Sequence, residues 1–190
     1  MATDPQQRLT IQEYLAFERQ SEIKHDYFEG EVFAMSGASR LHSLITGNIF
    51  GEIRNQLKGR PCEVHSESLR VRTPEDLFTY PDVVAVCGEP QFADTEFDTL
   101  LNPVVIVEVL SPTTEGYDRG LKSARYRSIP TLVEYVLVAQ DRCHVEHLVR
   151  QTDGGHWLLE EISDLSGTLD LLSIGCRLPL TEIYDRVYPL

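Results

Sequence analysis

Val104-Val105-Ile106-Val107-Glu108-Val109-Leu110 is the stretch on which the fold turns. It is dense in Val and Ile and bounded by Asn102-Pro103 and Ser111-Pro112, as expected of a central strand buried on both faces. Tyr80-Pro81-Asp82-Val83-Val84-Ala85-Val86-Cys87 reads the same way. Strands covered on both sides need layers above and below, and the flanking sequence offers helices for them. Ser39 is placed to cap a helix reaching about Lys58, along which Leu41, Leu44, Ile45, Ile49, Ile53 and Leu57 recur at helical spacing. A second helix is expected from about Asp118 to Ser128, stopping before Pro130.

Thr10-Ile11-Gln12-Glu13 fits a capping box ahead of a short helix from Ile11 to Arg19. His25 to Met35 predicts a hairpin turning at Glu29-Gly30, and Glu63 to Arg72 predicts a strand. Leu132 to Ala139 and Cys143 to Val149 read as strands turning at Gln140-Asp141, and Trp157 to Ile162 as another after Asp153-Gly154-Gly155. The tail suggests a short helix capped by Thr181, with Ile183, Tyr184 and Val187 packing inward. The expected class is α+β (mixed α/β): a central sheet flanked by helices, with extra antiparallel strands. No internal repeat or linker divides the chain, so residues 1–190 are read as one domain.

Composition narrows the function. Seventeen Lys and Arg against thirty Asp and Glu leave a net charge of −13 over 190 residues. Such a balance opposes tight general binding to nucleic acid, although it leaves room for a local site. The 42% hydrophobic content excludes disorder for the bulk of the chain. Cys62, Cys87, Cys143 and Cys176 are scattered without a Cys-x-x-Cys pair, so reduced thiols in a cytoplasmic protein are the expectation. Met1 to Arg19 lacks the pattern of a signal peptide, and Val104 to Val107 falls far short of the ~20 apolar residues that span a bilayer. Walker, G-x-G-x-x-G and G-x-S-x-G patterns are all absent from the sequence, which disfavours nucleotide-driven motors, dinucleotide oxidoreductases and ordinary serine hydrolases.

Two carboxylates stand where packing alone would not put them. Asp82 leads into one apolar strand and Glu108 interrupts the other. A charge in such a setting costs several kcal/mol unless it is paired or holds a metal. Two converging carboxylates would repel without a cation, and their oxygens suit Mg²⁺ or Mn²⁺. Arg119, Lys122, Arg125 and Arg127 then form a basic stretch, with Arg119, Lys122 and Tyr126 expected on one helix face that could hold phosphate. Taken singly, each acid is explained as well by an exposed strand end or an Arg partner, and the basic helix by a solvated surface.

At these residues the sequence resembles the Uma-two group of putative restriction endonucleases. The likeness rests on Tyr80-Pro81-Asp82-Val83-Val84, Val107-Glu108-Val109-Leu110-Ser111-Pro112-Thr113-Thr114, Asp118-Arg119-x-x-Lys122 and Glu134-Tyr135. Gly30-Glu31, Met35-Ser36-Gly37 and His42 match upstream, so it covers about Ile11 to Val187. The resemblance implies the PD-(D/E)xK fold, a four-stranded mixed core sheet between helices. It implies a metal-dependent endonuclease acting on DNA, with Asp82, Glu108 and the Val109 backbone carbonyl on Mg²⁺ or Mn²⁺ and Lys122 beside the attacking water. The superfamily motif places a lysine two residues after the glutamate, where this chain has Leu110, so Lys122 would have to reach back from the helix.

His42 and Glu31 are possible supporting residues, while a solvated turn accounts for Glu29. Cys143, His144 and His147 suggest zinc only weakly, because strand alternation would put His144 opposite the other two. Weak, salt-sensitive DNA binding and a homodimer are the expected partnerships, with no membrane association. The alternatives are a catalytically weak or inactive nuclease-fold module used in binding or assembly, and a hydrolase of small phosphate esters.

Overall fold

The computed structural model describes residues 8–35, 37–152 and 155–188. Ser36 and Asp153-Gly154, which figure in the sequence reading, lie outside the described residues, as do the first seven residues.

Helix α1 (Ile11–Glu18) opens on the expected capping box: the Glu13 amide donates to the Thr10 hydroxyl at 3.3 Å, and the Thr10 amide donates to the Glu13 carboxylate at 2.8 Å. Strands β1 (His25–Phe28) and β2 (Glu31–Ala34) form the hairpin. Its turn requires positive φ at Glu29 and Gly30, which glycine adopts without strain at the second position. Helix α2 (Arg40–Gln56) follows, with Ser39 at its cap. Next come β3 (Cys62–Ser66), β4 (Arg70–Arg72), β5 (Phe78–Thr79), β6 (Val83–Cys87), β7 (Thr99–Leu100) and β8 (Val105–Leu110).

A helical crossover leads from β8 to β9 (Glu134–Ala139). It consists of α3 (Glu115–Tyr117), a π-helical turn over Asp118–Lys122 and α4 (Ser123–Arg127). Strands β10 (Val145–Arg150), β11 (Trp157–Ile162), β12 (Thr168–Leu171) and β13 (Cys176–Pro179) precede α5 (Leu180–Ile183).

The main sheet has the order β11-β10-β9-β8-β6-β3. Strands β8 and β9 are parallel and all other neighbours antiparallel, so the sheet is mixed. The parallel pair needs a crossover long enough to return the chain to the same end, and the α3–α4 segment is that crossover. A smaller sheet runs β2-β1-β5-β4-β7, and β12 pairs with β13.

Period-two alternation divides the central strands between two cores. Val105, Val107 and Val109 of β8 pack with Ile45, Ile49 and Ile53 of α2, against β12, β13 and α5. Ile106 and Leu110 pack on the opposite face with Tyr126, Ile129 and Leu132. Glu108 has the parity of this second face and is therefore aimed at the helical crossover.

Three expectations need correction. Glu63 to Arg72 is two strands in two different sheets, because Glu67 takes a left-handed backbone conformation (φ 49°) and turns the chain. Thr181 lies within α5 rather than capping it; Pro179 holds the cap position without a side-chain bond. Cys62 and Cys87 are not free thiols. Antiparallel register sets them opposite each other on β3 and β6 with Cα atoms 4.0 Å apart, and a disulfide joins them. Spacing along the chain could not reveal that pairing. Cys143 and Cys176 are free. Among the described residues no helix is long and apolar enough to cross a membrane.

Candidate active site

The ends of β6 and β8, the start of α2, the π turn and hairpin β1–β2 surround a cleft of about 800 Å³. Asp26, His42, Glu67, Asp82, Glu108 and Lys122 are among its lining residues. Met35 and Gly37 reach it from the loop after β2.

Asp82 sits just before β6, and its position is fixed by the neighbouring strand: the Val109 amide donates to Oδ2 at 2.6 Å. His42 Nε2 lies 3.2 Å from the same oxygen. The turn that carries His42 is fixed by the helix cap, the Ser39 hydroxyl accepting from the His42 amide at 3.1 Å. Ser39 in turn donates to Gln140 beyond β9 at 2.7 Å, tying the helix start to the main sheet. Burial alone would lower the His42 pKa, but Asp82, the Glu67 charge and the Val109 backbone outweigh it and raise it.

Glu108 and Lys122 are both buried, at 3% and 5% exposure. Lys122 Nζ stands 2.9 Å from Glu108 Oε1 and 3.5 Å from Asp118 Oδ1, and the Tyr126 hydroxyl donates to Glu108 Oε1 at 2.8 Å. Lys122 thus reaches back from the crossover to the strand glutamate, while Leu110 packs into the apolar face beside it. Burial pushes the Glu108 carboxyl up to about 8, with Asp82 and Asp118 adding to the rise and the Lys122 ammonium opposing it. For Lys122, burial favours loss of the proton, yet Glu108, Asp26 and Asp118 hold it on and raise its pKa well above normal.

The π turn explains which basic side chains enter. The Ser123 amide donates to the Asp118 carbonyl five residues back, so the turn holds more residues than an α turn. Side chains four apart, Asp118 and Lys122, meet; those three apart, Arg119 and Lys122, diverge. Arg119 consequently pairs with Glu115 at 2.9 Å and with Glu146, away from the cleft, which corrects its expected place on the Lys122 face. Glu31 is also outside the cleft: it is exposed on β2 and lies 3.7 Å from Arg8. Cys143 precedes β10 instead of lying in it, His147 pairs with Glu134, and His144 faces Glu146 and Glu161.

Three cleft acids escaped the sequence reading as site residues. Asp26 is buried, with Oδ1 lacking any hydrogen-bond partner; burial raises its pKa against the pull of Lys122. Its hairpin gave no sign of burial, which comes from pairing of β1 with β5. Asp118 looked like a helix-start acid. Glu67 was hidden in a strand that the structure breaks; its amide donates to the Asp82 carbonyl at 3.0 Å.

Four buried carboxylates, Asp26, Asp82, Glu108 and Asp118, therefore face one buried ammonium and one imidazole. Carboxyl groups outnumbering the cations that face them, with one carboxyl oxygen unsatisfied, are the donor chemistry of a divalent cation site, where the ion would displace the protons that burial retains. The residues fit such an ion.

The mixed sheet with its flanking helices has counterparts among known proteins. A crystal structure described as a putative nuclease of DUF820 from Anabaena variabilis superposes with a TM-score of 0.77, covering 95% of this chain and 99% of that one at 17% identity. Residues 11–181 match the model of the Uma2 family, described as "Putative restriction endonuclease". The uncharacterised protein slr1290 of Synechocystis sp. is 36% identical over 181 residues, covering 95% of this chain and 93% of its own length. A second Synechocystis protein, the uncharacterised sll1609, is 36% identical over 155 residues, covering 81% and 87%. The chain belongs to the Uma2 family.

Proposed function

We propose that this protein is a metal-dependent endonuclease that hydrolyses phosphodiester bonds in DNA. The supporting observation is the convergence of Asp82, Glu108 and Lys122 in one cleft, with the ammonium 2.9 Å from the strand glutamate. In this reading Asp82 and Glu108, with the Val109 carbonyl, hold Mg²⁺ or Mn²⁺. When bound, the ion supplies Lewis acidity toward the phosphate and lowers the pKa of water. Lys122 offers a fixed positive charge to the phosphate oxygens and orients the incoming water, while Glu108 and Asp118 hold the ammonium in place. Tyr126 fixes the Glu108 carboxylate. His42 Nε2 lies 3.2 Å from Asp82 Oδ2, near enough to set the orientation of that carboxylate.

The net charge of −13 leaves only local attraction for DNA, so binding is weak and falls steeply with salt. Cleavage of both strands is simplest with two sites related by a twofold axis, and a homodimer is part of the proposal. Light scattering checks it; a strictly monomeric mass at micromolar concentration refutes that part.

The decisive experiment is nicking of supercoiled plasmid with Mg²⁺ or Mn²⁺, run beside Asp82→Ala and Glu108→Ala. Metal-dependent nicking lost in both variants is the expected outcome. Full activity in Asp82→Ala overturns the assignment. Absence of nicking in the parent protein, together with calorimetric silence toward both metals, favours a non-catalytic module built on the same fold.

A further inference from the structure

Asp82, a ligand of the proposed nuclease site, also sits with His42 and Glu67, neither of which that reading places on the metal. His42 Nε2, a Glu67 carboxylate oxygen and an Asp82 carboxylate oxygen all lie within 4.8 Å of one another. They come from three separate elements: the first turn of α2, the bend between β3 and β4, and the entry to β6. Each element also has an anchor outside the three side chains. His42 is set by the Ser39 cap, Glu67 by its amide bond to the Asp82 carbonyl, and Asp82 by the Val109 amide. Lys24 Nζ also donates to the Glu67 carbonyl at 2.5 Å, so the bend is pinned from the hairpin side as well.

The dimensions suit one small cation. Adjacent ligands of an octahedral ion at about 2.1 Å stand roughly 3.0 Å apart, and opposite ones roughly 4.2 Å. His42 Nε2 and Asp82 Oδ2 are 3.2 Å apart, as neighbouring ligands should be. A Glu67 carboxylate oxygen within 4.8 Å of both supplies the third donor. The cleft is open enough to leave the remaining positions to water.

The other His-and-acid grouping among the described residues, His144 with Glu146 and Glu161, is less suitable. Arg119 already pairs with Glu146, and its guanidinium would repel an incoming cation. At His42, Lys24 bonds the Glu67 backbone carbonyl and not its carboxylate, and among the described residues no cationic side chain apart from His42 forms an ion pair with the Glu67 or Asp82 carboxylate.

We infer that His42, Glu67 and Asp82 form a mixed nitrogen-and-oxygen metal position that selects a divalent transition ion such as Mn²⁺ over Mg²⁺. The chemical basis is the imidazole. Mg²⁺ is hard, holds its water and takes oxygen donors, whereas first-row transition ions accept nitrogen readily. This deepens the proposed function by naming the class of ion, but it does not depend on catalysis.

The test is Mn²⁺ titration of the full chain followed by pulsed EPR, which detects ¹⁴N coupling from a directly bound imidazole. The expected result is bound Mn²⁺ with ¹⁴N modulation and an affinity for Mn²⁺ about tenfold or more above that for Mg²⁺. His42→Gln should abolish the modulation and bring the two affinities within a few-fold. Glu67→Gln should weaken Mn²⁺ binding about tenfold while keeping the nitrogen signal, which a merely unfolded variant would not do. His144→Gln should leave everything unchanged. Bound Mn²⁺ without ¹⁴N modulation, modulation that survives His42→Gln, or no Mn²⁺ binding at all overturns the inference. Plasmid nicking is scored separately, so Mg²⁺-dependent cleavage without nitrogen coupling would refute this site and leave the nuclease reading standing.

Discussion

Replacing Lys122 with Met removes the one buried ammonium and leaves Glu108 and Asp118 facing each other across the space it occupied. At 2.9 and 3.5 Å, with an effective dielectric constant of about 20, the gross attractions are about 6 and about 5 kcal/mol once both acids are ionised. Much of that is offset by the cost of stripping water from the ammonium, so the net loss on deleting one partner is about 3–5 kcal/mol. Protonation then modulates the loss. The folded protein holds a proton on Glu108 up to about pH 8, whereas an unfolded chain releases it near its ordinary value of 4.5. This group's contribution to stability therefore falls as pH rises from about 4.5 to about 8. Without Lys122 the carboxyl is pushed higher still, and the decline continues beyond pH 8. Near pH 5 Glu108 is neutral in both proteins, so the variant loses chiefly the Asp118 contact, about 2 kcal/mol. At pH 9 the loss reaches the full about 3–5 kcal/mol, a fall in melting temperature of roughly 10 °C for a chain of this size. Urea unfolding of both proteins at pH 5, 7 and 9 measures it. An equal difference at all three values, or none, refutes the picture of a buried lysine beside a glutamate that carries a proton at neutral pH and pairs with it only when ionised.

Reduction of Cys62–Cys87 opens a loop with a sequence separation of 25, and the chain-entropy relation puts the loss of stability at about 3.5 kcal/mol. Urea midpoints with and without dithiothreitol test this, and thiol titration of the unreduced, denatured protein should find two reactive thiols from Cys143 and Cys176; four would refute the bond. Tyr126→Phe deletes the hydroxyl that donates to Glu108 at 2.8 Å. It should cost about 1–2 kcal/mol of stability and slow nicking about tenfold, whereas unchanged kinetics would show that Glu108 needs no such support. Asp98 is partly buried, which would raise its carboxyl. Bonds from Arg19 and Thr99 and the charge of Arg70 prevail and hold it down to about 2. Its contribution is present above about pH 4 and disappears as pH falls through 2, so the gap in melting temperature between the parent and Asp98→Asn should close over that interval.

Much of the architecture was legible because it is written in local chemistry. The capping box at Thr10 and Glu13, the Glu29-Gly30 turn, the apolar periodicity before Leu57 and the Val-rich runs around Glu108 each follow from interactions within a few residues. Asp82 and Glu108 were conspicuous for the same reason, as charges in sequences otherwise suited to burial. The short strands β5 and β7 and the pair β12–β13 gave little local signal, since they are defined by their partners.

The sequence by itself therefore determined the central strands, their covering helices and the two strand acids, because burial on both faces imposes a composition that can be read residue by residue. Only the tertiary structure decided which side chains share the cleft. A single π turn brings Asp118 to Lys122 and sends Arg119 to Glu146; a left-handed residue at Glu67 carries that acid toward His42; pairing of β1 with β5 buries Asp26. Strand register joins Cys62 to Cys87. Strand pairing and register are non-local and leave no pattern in neighbouring residues, while a π turn or a left-handed glutamate is a local departure that no residue type announces.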